Sequence, residues 1–462
     1  MPVPEFAVNS SFANADHVGT PYFHSLGKQT VETATLIVVL VIGLALFFDF
    51  TNGFHDTANA MATPIATGAL KPKVAVLLAA ILNLVGAFLS TEVSKTISHG
   101  IIREDEINSA AFLPLIFAGL IGAVTWNMLT WLLGLPSSSS HALFGGLIGA
   151  TLVGAGWMAI DFGVVLGKVI LPAVLAPLTA GLIAFTATRL AYAITRRLDG
   201  KPDGRDGFRW GQIFTSSLVA LAHGTNDAQK TMGVITLTLI IAGWQSSTQD
   251  DPQLWVILAC GITIALGTYM GGWRIIRTLG KGLTDVKPAQ GFSAESSTAA
   301  TILASSALGF ALSTTQVASG SVIGSGLGRR GSTVRWRTVG RIMVGWLLTL
   351  PAAGAVGGLA ALVVAWFGGW GIVIDAVAAV VIISTIFLLS RRNAVTASNA
   401  MSDVAESGTA VKMKRNPPPK RRPRTRMRAG TPQKTEALLK SAAPQDAEPP
   451  LGSEEPQKEE SK

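Results

Sequence analysis

Long apolar runs alternate with short polar interruptions along this chain, and the run lengths predict its secondary structure. The first run begins near Thr33 and continues past Phe50. Further runs cover roughly 74–91, 111–133, 142–160, 162–190, 210–244, 253–272, 296–312, 317–327, 340–366 and 370–390. Several reach the roughly 20 residues that a helix needs to cross about 30 Å of hydrocarbon. Others are shorter and bounded by Gly, Pro or Ser, which predicts broken helices and re-entrant hairpins. The expected fold class is an all-α polytopic membrane protein with about 10–12 transmembrane segments.

Composition narrows the function classes. The chain is 49% hydrophobic and only 14% charged, whereas soluble domains carry about 25% charged residues. An ordinary cytosolic enzyme is excluded, and so is a wholly disordered chain. The single cysteine, Cys260, excludes an intramolecular disulfide and any cysteine metal cluster. No nucleophile–base pair points to an enzyme, and no cofactor is implied. The net charge of +9 is mostly terminal: residues 391–462 hold 15 Lys/Arg against 9 Asp/Glu, and the rest 22 against 19. The run KRNPPPKRRPRTRMR at 414–428 reads as a basic cytoplasmic tail beside anionic lipid. Nucleic acid is not expected as a partner.

Charge also orients the chain. Basic loops contain Lys71 and Lys73, then Arg189 to Arg209, then Arg274 to Lys287, then Arg329 to Arg341, while Glu92 to Glu106 and Asp250–Asp251 lie between them. Placing the basic loops in the cytoplasm puts the N-terminus outside and the C-terminus inside. Segments 111–160 and 292–328 must then each enter and leave on the same side. The expected organisation is an irregular extracytoplasmic leader at 1–33, without a signal peptide, a first transmembrane repeat at 34–190 and a cytoplasmic basic loop at 191–209. A second, inverted repeat at 210–366, an additional helix at 367–390 and a disordered cytoplasmic tail at 391–462 complete it.

The repeat itself is visible. Asn52-Gly-Phe-His-Asp-Thr-Ala-Asn-Ala-Met61 matches His223-Gly-Thr-Asn-Asp-Ala-Gln-Lys-Thr-Met232 at an offset of 171. Ser138-Ser-Ser-His-Ala-Leu-Phe-Gly-Gly-Leu-Ile-Gly149 matches Ser313-Thr-Thr-Gln-Val-Ala-Ser-Gly-Ser-Val-Ile-Gly324 at an offset of 175. Inverted repeats with polar interruptions at corresponding places point to a secondary transporter with a midplane site.

The polar segments carry the candidate chemistry. Asp56 and Asp227 sit in apolar sequence, where an unpaired charge costs at least about 2.5–3.5 kcal/mol, so each needs a cation, a proton or a fixed donor. Asn52, Asn59 and Asn226 supply hard oxygen ligands, and Gly53 and Gly224 are expected to let the helices unwind. Ser138, Ser139, Ser140 and Ser313, Thr314, Thr315 read as capped helix N-termini, which attract anions. A pair of them facing each other would cradle a small tetrahedral oxyanion. His55 and His141 titrate near neutral pH and suit either a proton role or orientation, whereas His223 reads as structural. Lys230 stands where the first repeat has Asn59, beside Asp227 and Thr231. Glu295, in Gly291-Phe-Ser-Ala-Glu295, either couples or is solvated at a membrane edge.

At these residues the chain resembles the PiT family of inorganic phosphate transporters, most closely its bacterial low-affinity Pit branch. NGFHDTANAMAT (52–63) and HGTNDAQKTMG (223–233) are similar to the paired family signatures. LPSSSSHALFGGLIGA (135–150), LSTTQVASGSVIGSG (312–326) and AQGFSAE (289–295) are similar to its other elements. Ala311 and Gln316 depart from the proline and histidine usual there. The resemblance implies phosphate at the hydroxyls of Ser138–Ser140 and Ser313–Thr315, with Asp56, Asn59 and Asp227 serving cation and substrate binding; Lys230 and Thr231 are further phosphate candidates, Lys230 equally able to replace a bound cation or to neutralise Asp227. Cation or proton coupling would involve Asp56, Asp227, Asn52, Asn226, His55, His141 and Glu295. It also implies symport with protons or sodium, the cargo in the bacterial branch being a metal–phosphate complex, with no fixed metal of the protein's own. Lys230 favours protons. Sodium coupling, a sulfate permease of the same fold, and an oxyanion channel or receptor stay open, as does a homodimer.

Overall fold

Several helices of this chain start where the sequence supplies a proline or a capping hydroxyl. The computed structural model describes residues 21–98, 102–103, 107, 109–198, 206–246, 248–392 and 394–400. Its helices are α1 (Pro21–Ala66), α2 (Pro72–Gly86), α3 (Glu92–Ser98), α4 (Ser109–Leu133), α5 (Ser139–Gly154), α6 (Phe162–Val164) and α7 (Leu171–Leu198), followed by α8 (Asp206–His223) and α9 (Gln229–Ile241). Then come α10 (Leu254–Met270), α11 (Trp273–Arg277), α12 (Pro288–Ala307), α13 (Thr314–Gly328), α14 (Trp336–Phe367) and α15 (Gly369–Arg392). Pro72 and Pro288 occupy the first turns of α2 and α12, where a missing N–H costs nothing and φ is already helical.

Five described stretches are long and apolar enough to cross a membrane: Ala34–Ala66, Ala111–Leu133, Phe162–Thr195, Trp336–Phe367 and Gly369–Arg392. Leu254–Met270 and Trp273–Gly282 make a further span if their 57° bend is taken as one broken helix. Leu178, Leu347, Trp366 and Val380 lie exposed on these stretches. Such a surface suits hydrocarbon, and with these stretches it makes the chain a multi-pass membrane protein. α5 and α13, the two short helices opened by hydroxyls, each fold back on the helix before them, α4 and α12.

Small residues set the closest helix contacts, and the same contacts recur with the two halves exchanged. Gly145 and Gly149 of α5 lie against the Leu350 and Gly354 backbone of α14, while Gly320 and Gly324 of α13 lie against Pro177 and Gly181 of α7. Gly53 of α1 meets Ile264 and Gly267 of α10, while Gly224 meets Asn83 and Gly86 of α2. The isolated bridges Ile102–Ile160 and Thr284–Val334, by contrast, each stay within one half. The glycine contacts pack each half largely onto the other.

Three local expectations need correction. The helix does not unwind at Gly53: α1 runs unbroken through the motif, because a β-carbon there would strike the backbone of α10. That glycine serves close approach. At Gly224–Ala228 the backbone widens into a single π-helical turn inside an otherwise continuous Asp206–Ile241 helix. Second, α1 starts at Pro21, so 21–33 of the expected irregular leader is helix. Third, α7 and α8 extend to Leu198 and Asp206, so most of the 191–209 loop is helix end. The leader before Pro21 and the tail beyond Ala400 lie outside the described residues.

Candidate functional site

The two Asp-containing motifs and the two hydroxyl-capped helix ends meet at one buried centre. Ser138 caps α5 by accepting the His141 N–H at 3.1 Å, and Ser313 caps α13 by accepting the Gln316 N–H at 3.3 Å. Both ends are N-caps, as their sequence predicts. The next residues, Ser139 and Thr314, turn their hydroxyls to the carboxylates. Ser139 donates to Asp56 Oδ2 at 2.7 Å. Thr315 donates to Asp56 Oδ1 at 3.1 Å. Thr314 Oγ1 lies 3.3 Å from Asp56 Oδ2 and 3.0 Å from Asp227 Oδ2. Asn59 completes the link, its amide facing Thr314 at 3.3 Å and Thr315 at 3.0 Å. The carboxylates and the hydroxyls, which sequence separates into a cation part and an anion part, form a single network.

Cationic groups close around it. Lys230 pairs with Asp227, one turn back on its own helix, and also donates to the Leu312 carbonyl at 3.0 Å. Ser140 donates to that carbonyl at 3.2 Å, so Leu312, just before α13, ties both hairpins together. His55 Nδ1 is 2.6 Å from Asp56 Oδ1, and its Nε2 faces Thr130 at 3.2 Å and Ser137 at 3.3 Å. All these side chains are buried.

His223, which reads as structural from the sequence, belongs to the centre. Its Nε2 lies 2.6 Å from Asp227 Oδ2 and 4.0 Å from Asp56 Oδ2, between the two motifs. Asn83 fixes the other ring nitrogen at 3.3 Å. The i,i+4 spacing to Asp227 places the two on one helix face, a signal present in the sequence. Its position also matches Asn52 in the first repeat. Asp56, His223 and Asp227 offer three ligand atoms within 4.8 Å of one another, a donor set that suits a divalent cation.

Other expected site residues lie apart from this centre. Glu295 is buried and accepts from Thr63 at 2.6 Å, Gln212 at 2.9 Å and Thr215 at 2.7 Å. It is neither solvated nor hydrogen-bonded to the aspartates. Thr231 donates to Asp49 at 3.0 Å, on the far side of Lys230. His141 stands 3.5 Å from Gln316, its counterpart in the second repeat. Asn226 donates to Ser306 at 3.0 Å and to the Phe310 carbonyl at 3.3 Å. Asn52 has both amide atoms buried without a partner.

Known proteins share this arrangement of motifs. A model of the phosphate transporter family matches residues 52–206 and 195–357, which include both Asp motifs and both hairpins. The chain belongs to the phosphate transporter family. It is a transporter and not an enzyme. A probable low-affinity inorganic phosphate transporter of Mycobacterium tuberculosis H37Rv is 54% identical over 368 residues, covering 79% of this chain and 87% of that protein. One of Bacillus subtilis is 39% identical over 330 residues, covering 71% and 98%. Among solved structures, one described as the sodium-dependent phosphate transporter superposes with a TM-score of 0.64 at 25% identity, covering 72% of this chain and 99% of its own.

Proposed function

We propose that the chain is a secondary active transporter of the cell membrane that imports inorganic phosphate by proton symport. Alternating access would turn on the midplane site between two inverted repeats, with the N-terminus outside. One observation carries the coupling: Thr314 has a single hydroxyl proton yet faces an oxygen of Asp56 and an oxygen of Asp227 at once. Only one of those carboxylates accepts from it at a time, and although each has other donors, two buried like charges that meet at one hydroxyl repel, which a proton on one of them or a shared cation relieves. A proton at this pair also removes one negative charge from the place where an oxyanion must sit.

The anion would bind between the first turns of α5 and α13, where the hydroxyls of Ser139, Ser140, Thr314 and Thr315 converge with the helix dipoles. Binding breaks the hydroxyl–carboxylate bonds, so phosphate entry and the state of Asp56 and Asp227 are linked directly. Lys230 contributes a fixed positive charge beside the anion. The relatives described as low-affinity inorganic phosphate transporters support phosphate as the substrate. A divalent metal held by Asp56, His223 and Asp227 would travel as part of the cargo. Sodium is the second reading, favoured by the sodium dependence ascribed to the structural neighbour; Lys230 argues against it by occupying the place of one cation.

Uptake of labelled phosphate into proteoliposomes, under an imposed proton gradient, a sodium gradient or neither, tests the reading. Proton-driven uptake, lost in Asp56→Asn, is the expected result. Uptake driven by sodium alone would overturn the coupling. Absence of phosphate uptake by folded protein, with sulfate carried instead, would overturn the substrate.

A further inference from the structure

Asp49 lies two turns before Asp56 on α1 and is fully buried. Thr231 of α9 donates to its Oδ1 at 3.0 Å, but its Oδ2 has no hydrogen-bond partner. One turn further along the same helix, Asn52 is fully buried with both its Oδ1 and Nδ2 unpartnered. Residues three apart are neighbours on a helix surface, so the unpartnered Asp49 Oδ2 and the unpartnered Asn52 amide share one face of α1. Even with the Asn52 N–H turned to Oδ2, a carboxylate here is a buried charge with no cation of its own, which is costly in a low-dielectric interior. As a carboxylic acid, Asp49 is neutral and has an O–H on Oδ2 to donate to Asn52 Oδ1.

The surrounding charges lead to the same conclusion. On the α8–α9 side Asp49 faces Asp227, His223 and Lys230, and on α10 it faces Cys260. α4 brings no titratable side chain to α1. Lys230 is taken by Asp227, and His223 lies between Asp227 and Asp56. Lys230, His223 and His55 are thus all engaged by Asp227 or Asp56, and of the three aspartates Asp49 is the one without an ion pair among the described residues.

We infer that Asp49, with Asn52 and Thr231, forms a second proton-binding site, distinct from the Asp56–His223–Asp227 centre and occupied while Asp49 is buried as it is here. Its role in transport rests on the proton-symport reading, although its occupancy does not. The proton enters as a bond to Asp49 Oδ2 from water and leaves to water, with no other bond made or broken. It would add a titratable step to the cycle that phosphate itself never touches.

Two measurements on the full-length protein test it. The first is the infrared spectrum of the purified protein at neutral pH, wild type against Asp49→Asn. A protonated-carboxyl band present in wild type and missing in the variant is expected. Its persistence in the variant, with no difference between the two, would overturn the proposal. The second is proteoliposome transport. Asp49→Asn mimics the neutral acid in shape, so phosphate exchange without a gradient is expected to survive within about twofold. The pH dependence of gradient-driven uptake is expected to flatten, and the number of protons carried per phosphate to fall. Loss of exchange in a folded variant would make Asp49 a substrate residue, and an unchanged proton-to-phosphate ratio would leave it a structural one; each would overturn the proposal. Failure of the symport reading shows separately, as wild-type uptake indifferent to a proton gradient.

Discussion

Thr314 lies where the two halves of the site meet. Its hydroxyl, like the His223 ring, approaches both Asp56 and Asp227. Thr314→Val keeps the shape and removes the hydroxyl. A hydrogen bond to a charged group contributes about 1.5–3 kcal/mol, so proton-driven uptake is expected to fall roughly 10- to 100-fold, with Thr314→Ser recovering most of it. Uptake rates in proteoliposomes of matched protein content check this. That Asp56, Asp227 and the hydroxyl clusters belong together was legible from the repeat alone, and the structure brings them into contact. His223 was not, because its closeness to Asp56 depends on a contact across 167 positions of sequence, although its i,i+4 relation to Asp227 was in plain view. Asp49 escaped notice for another reason. Its counterpart at an offset of 171 is Ala220, so a search for matched pairs passes over it.

At the scale of elements, the glycines of the Asp motifs act as contact surfaces and not as hinges. Adding a methyl group at Gly53 would push it into the α10 backbone, with the Thr268 nitrogen only 3.0 Å from the new carbon. Overpacking of this kind costs about 1–3 kcal/mol. Gly53→Ala is therefore expected to lower the melting temperature in detergent and to depress uptake. Gly43→Ala, ten residues earlier on the same helix with open space around it, is expected to do neither. From sequence these glycines read as points of unwinding, but glycine serves close approach equally well, and at Gly53 the neighbouring helix decides for close approach. Helix ends are a related case. Residues 191–198 read as loop, yet they continue α7; the stretch holds no glycine or proline to stop the helix before Gly200.

At the scale of the whole molecule, the exchanged packing of α5 on α14 and α13 on α7 means that neither half buries its own hairpin. Cutting the chain between Leu198 and Asp206 is expected to give two fragments that are degraded when expressed singly and restore phosphate uptake when expressed together. Stable accumulation of either half alone would contradict the exchange. Lys230 breaks the likeness of the halves, standing where the first has Asn59, and its consequence is electrical. With Asp56 and Asp227 ionised, this side chain leaves the empty centre with one negative charge instead of two. A membrane potential of 100 mV acts on each elementary charge with about 2.3 kcal/mol. Reorientation of the empty carrier is thereby spared roughly a 50-fold bias for each charge that crosses the full field. Lys230→Asn would return that bias, and the voltage dependence of phosphate-induced current in planar bilayers or oocytes is expected to steepen accordingly.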